Sequence, residues 1–112
     1  MILPDFRDHE ALRRAFRWQI PPRYNIAEDV CDRWAALDPD RTAIIEVSRD
    51  WQVAPVSFGA LRDASMRLAS ALAARGVRRG DRIAILLPQG RSVLTAHLAA
   101  YRLGAIAVPL AA

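Results

Sequence analysis

Few side chains in this sequence have the type and spacing that covalent or metal chemistry needs. There is one cysteine, Cys31, and there are two histidines, His9 and His97, in 112 residues. A reactive thiolate needs a base or a cation beside it. No histidine neighbours Cys31, whose place in a helical pattern is that of a small buried hydrophobe. One cysteine and two histidines at these spacings do not make a metal site, and no carboxylate pair at helical spacing points to one. All 16 Lys+Arg positions are arginine, so no side chain can form a Schiff base or act as a catalytic amine. No Gly-x-x-x-x-Gly-Lys loop occurs, and no Ser–His–Asp arrangement can be argued. Pro88-Gln89-Gly90-Arg91-Ser92 comes nearest to an anion cradle, because it opens a helix whose first amides are free. The competing reading is an ordinary turn between strand and helix. His97 and Tyr101 share one side of that helix, where a satisfied core or interface histidine is the leading reading; if any helix of the chain reaches a substrate, it is this one. On these grounds the expected set of catalytic, cofactor-binding and metal-binding residues is empty.

The elements that position these residues are legible from periodicity. Residues 8–18 form a short amphipathic helix, with Leu12, Ala15 and Phe16 opposite Arg13, Arg14 and Arg17. Pro21-Pro22 ends it. Asn25 caps a second helix with Glu28 three residues on, as in a capping box. Its expected apolar face is Ile26, Val30, Trp34 and Leu37, flanked by Ala27 and Cys31. Thr42–Val47 and Gln52–Ser57 read as an antiparallel hairpin around Ser48-Arg49-Asp50, with Pro55 marking an edge strand.

Ser57 caps the clearest helix, 58–75, whose stripe is Phe58, Leu61, Ser65, Leu68 and Leu72. Gly76 takes the left-handed position behind it. Residues 82–87 read as a strand, and Ile83–Leu87 within it are apolar without alternation, as in a covered parallel strand. A helix over 92–103 follows, with Val93, Leu94, His97, Leu98 and Tyr101 on one side, and then a strand over 105–110. Strand, crossover helix and strand make a βαβ unit. The expected fold class is α/β: a βαβ unit of a parallel sheet, preceded by a capped helix and a short hairpin.

Composition narrows the class further. The chain is 53% hydrophobic and 25% charged, the balance of a globular protein. No apolar run is long enough to span a bilayer, and the charged N-terminus lacks the apolar core of a signal peptide, so a cytoplasmic location is expected. The net charge of +4 comes from dispersed arginines. The densest group, Arg13, Arg14 and Arg17 near Trp18, does not form a clustered basic face, so no nucleic-acid partner is expected.

Three segments together carry a family resemblance. VSFGALRDASMRLASALAARGVRRGDRIAILLPQ resembles the first conserved block of adenylate-forming (AMP-dependent) synthetases, in which "(T/S)(Y/F)xxL" leads into a long helix, "GVxxGDRV" and a strand ending "LP". YRLGAIAVPL is similar to their second block, "xxAGAxxxPL". YNIAEDVCDRWA resembles the N-terminal region of acetyl- and medium-chain acyl-CoA synthetases. The resemblance implies the incomplete N-terminal part of that fold, with an arm over 1–24 and the truncated synthetase unit over 25–112. It implies a full-length parent that converts a carboxylic acid, ATP and CoA to acyl-CoA, AMP and pyrophosphate, with magnesium. The phosphate loop, the magnesium-binding Glu and the catalytic Lys of that family have no counterpart in these 112 residues. The segment would then be scaffold, inactive alone, holding no cofactor, with the remainder of the synthetase chain as its partner. The alternative is a stand-alone interaction module derived from the same scaffold.

Overall fold

The computed structural model describes residues 8–111. The expectations for residues 1–7, including the absence of a leader and most of the arm's start, fall outside them. The elements run α1 (His9–Ala15), a π-helical turn (Glu28–Asp32) leading directly into α2 (Arg33–Leu37), β1 (Thr42–Val47), β2 (Val53–Ser57), α3 (Phe58–Ala74), β3 (Arg82–Ile85), α4 (Arg91–Arg102) and β4 (Ile106–Pro109). Among the described residues two sheets of two strands form. β1 and β2 pair antiparallel, and β3 and β4 pair parallel with Arg82 opposite Ile106 and Ile85 opposite Pro109. The fold is α/β, and α4 links the two parallel strands as expected. No described helix is long and apolar enough to cross a membrane.

α1 is shorter than its sequence pattern. The Asp8 carboxylate caps it by accepting from Glu10 and Ala11 amides at 3.0 and 3.3 Å. It stops at Ala15 because Phe16 is already extended and Arg17 turns its guanidinium onto the Arg14 and Phe16 carbonyls. It buries none of its own residues.

The next helix starts where expected, with the Asn25 side chain accepting from Ala27 N–H at 2.9 Å. Two expectations fail there. Glu28 makes no reciprocal cap bond, and the Asn25 amide reaches across to the Tyr101 and Arg102 carbonyls. The buried face is Ala27, Cys31 and Ala35, while Ile26, Val30 and Leu37 stay exposed. The π turn, closed by the Arg33 N–H on the Glu28 carbonyl, admits one extra residue and rotates the phase of the face. Small side chains four apart let this helix approach its neighbours closely, which the larger ones would prevent.

α3 follows its pattern. The Ser57 hydroxyl accepts from Ala60 N–H at 3.2 Å, and Leu61, Ser65 and Ala69 are buried. Its end is a full Schellman closure: Val77 N–H bonds the Leu72 carbonyl, Gly76 N–H bonds the Ala73 carbonyl, and Gly76 sits at φ +93°. β3 ends at Ile85, two residues early, leaving Leu86 and Leu87 outside the strand and exposed. With β4 as its partner in a two-stranded sheet, the apolar run is not covered on both faces. The shared core gathers Ala27, Cys31, Leu61 and Leu98, with Ala43, Ile44, Val56, Phe58 and Tyr101 packed against it.

Candidate functional site

The carboxyl ends of β3 and β4 open onto an apolar groove of about 460 Å³. Its floor includes Cys31, Leu61, Val93 and Leu98, and its rim includes Leu87, Pro109 and Leu110. Crevices at the carboxyl ends of parallel strands are where open α/β sheets bind ligands. The polar side chains in this one are Gln89, His97 and Tyr101. His97 Nδ1 lies 2.8 Å from the Val93 carbonyl. A carbonyl only accepts, so Nδ1 carries a proton and Nε2 is the nitrogen left facing away from that bond. The ring meets Tyr101 edge-on at 6.0 Å between centroids. The structure therefore brings together the two residues the sequence singled out on α4, in a groove and not in a closed core. Leu94, expected on the same side, is exposed.

Cys31 also borders the groove, but its chemistry is suppressed. It is fully buried, and burial pushes its thiol above the ordinary value, with the Asp32 carboxylate adding to the same effect. Its nearest polar contact is the Phe58 carbonyl, 3.8 Å from Sγ. The Arg102 and Arg62 charges pull the other way but are outweighed, so the thiol stays protonated and unreactive.

The candidate anion cradle before α4 is filled from within the chain. Glu46 on β1 places Oε1 2.7 Å from the Arg91 amide and Oε2 2.9 Å from Arg91 Nε. Gly90, at φ +150°, has no Cβ; one built there would come 2.9 Å from that same Oε1. A carboxylate thus takes the place at the helix N-terminus where a phosphate oxygen would sit. The described residues do not fit ATP phosphates: the amide is taken, and no glycine-rich loop or lysine is present. Among the described residues no cluster of three His, Cys, Asp or Glu could hold a metal ion. Glu46→Ala is expected to destabilise the chain by about 1 kcal/mol, the typical worth of a lost N-terminal cap. The Arg91 ion pair adds little because that guanidinium is mostly exposed. Urea unfolding of the two chains side by side measures it.

Sequence reasoning missed the strongest polar cluster. Arg102, in the last turn of α4, donates from Nη1 and Nη2 to both Asp32 oxygens at 2.6 and 2.5 Å, and from Nε to Ser65 Oγ at 3.0 Å. Ser65 is fully buried and its hydroxyl donates to the Arg62 carbonyl at 2.8 Å. The hydrogen bonds to Asp32 raise the Arg102 pKa further above its ordinary value. Seventy residues separate the pair, so no local spacing could reveal it. The cluster ties the π turn, α3 and α4 together and does not line the groove.

The GVRRGDR segment is backbone engineering of the same kind. Asp81 accepts from the Arg78 amide at 2.7 Å. Gly80, at φ +87°, donates to the Gly104 carbonyl, and Ile106 N–H bonds the Asp81 carbonyl. These bonds set the starting register of β3 against β4.

A model of the family described as "AMP-binding enzyme" matches residues 31–112. The chain belongs to the AMP-binding enzyme family. It is 33% identical over 91 residues to the acetyl-coenzyme A synthetase of Laribacter hongkongensis, covering 81% of this chain and 14% of that one. It is 30% identical over 111 residues to the human mitochondrial acyl-coenzyme A synthetase ACSM3, covering 94% and 19%. The acetoacetyl-CoA synthetase of Streptomyces lividans superposes with a TM-score of 0.74 at 36% identity, over 78% of this chain and 13% of the other. The chain thus spans less than a fifth of the length of these AMP-binding relatives.

Proposed function

We propose that this chain is the N-terminal scaffold of an AMP-forming acyl-CoA ligase, in which it performs no chemical step itself. The full-length parent would join a carboxylic acid to ATP, release pyrophosphate and pass the acyl group to CoA, within fatty acid metabolism and in the cytoplasm. ATP, magnesium and CoA would be held by the remainder of the synthetase chain. Residues 1–24 serve as an arm and 25–112 as the first part of the synthetase unit. The observation that carries this reading is the α4 N-terminus, the nearest candidate for a phosphate cradle among the described residues, which the chain's own Glu46 fills. The family's motif residues Gly76, Gly80 and Asp81 support it, because they close turns and set strand register. Within the parent, the groove beside His97 and Tyr101 is the face turned toward the substrate side.

Calorimetric titration of the chain with magnesium–ATP and with CoA tests this. No saturable binding is expected up to about 1 mM, the upper end of usual enzyme substrate constants. Saturable ATP binding that Arg91→Ala abolishes would overturn the scaffold reading.

A further inference from the structure

We draw no further inference here: the strongest candidate, the cleft between β1 and the start of α4 that Glu46 spans to reach Arg91, rests on a helix N-terminus already taken by that carboxylate, and nothing among the described residues points to a ligand there.

Discussion

Replacing Arg102 by alanine is expected to destabilise the chain by about 2–4 kcal/mol, a little under the roughly 3–5 kcal/mol for removing one partner of a fully buried ion pair, because Asp32 is partly exposed. The arginine side chain is 12% exposed and Asp32 28%. Truncation strands the Asp32 carboxylate without its two short bonds and takes the guanidinium away from the buried Ser65 hydroxyl. Lysine should restore only a fraction. It keeps the charge but has no planar fork to engage both Asp32 oxygens and Ser65 at once. The Asp32→Ala, Arg102→Ala double variant should lose less than the sum of the single losses, because the two side chains share one interaction. Urea unfolding of the four chains, read by far-UV circular dichroism, gives every term of that cycle.

Gly59→Ala is the second large expected effect, and its sign runs against helix propensity. Alanine in a helix is normally better than glycine by about 1 kcal/mol. Here the added Cβ would lie 2.9 Å from the Pro39 carbonyl oxygen and 3.1 Å from Pro39 Cβ. That oxygen also accepts the Gly59 amide at 2.9 Å, and the Phe58 amide bonds the Arg41 carbonyl beside it. The first turn of α3 is therefore clamped to the Asp38-Pro39-Asp40 turn, and the contact is with backbone, which cannot rotate away. A net loss of about 1–3 kcal/mol is expected, the scale of overpacking. Ala60→Gly, one position on at an exposed site, should cost only about 1 kcal/mol. Urea midpoints that place Ala60→Gly below Gly59→Ala would show that the clamp does not hold.

The parts of this fold that depend on local chemistry could be read in advance. Ser57 capping α3, Gly76 closing it, the hairpin around Ser48-Arg49-Asp50, and the strand–helix–strand order each follow from a residue's own backbone preferences. The errors lie where distant segments meet. Hydrophobic periodicity selected Ile26, Val30 and Leu37, whereas close packing selected Ala27, Cys31 and Ala35; the π turn that makes the difference has no sequence signature. The apolar run of β3 promised six strand residues, but pairing with β4 supports only Arg82–Ile85. Asp32 with Arg102 and Glu46 with Arg91 were illegible for the same reason, since only the tertiary fold brings them together. His97 and Tyr101 were legible as a pair because they are one helical turn apart, but the groove they share is built by five other elements.

The cradle before α4 shows how a local rule can be right while the ligand is wrong. A helix N-terminus that attracts a negative charge was readable from Gly90-Arg91-Ser92. The charge that arrived is Glu46, from 45 residues upstream. The same amides that bind phosphate in other proteins serve here to fasten the hairpin to the βαβ unit.

Isotopic exchange of pyrophosphate into ATP tests most directly whether these residues carry adenylation chemistry. The assay supplies the chain with magnesium–ATP and either acetate or a medium-chain carboxylate. As scaffold, the chain should give an exchange rate equal to that of a protein-free blank, with or without carboxylate. Carboxylate-dependent exchange that rises in proportion to chain concentration and disappears in His97→Ala would contradict that assignment and place catalysis in the groove.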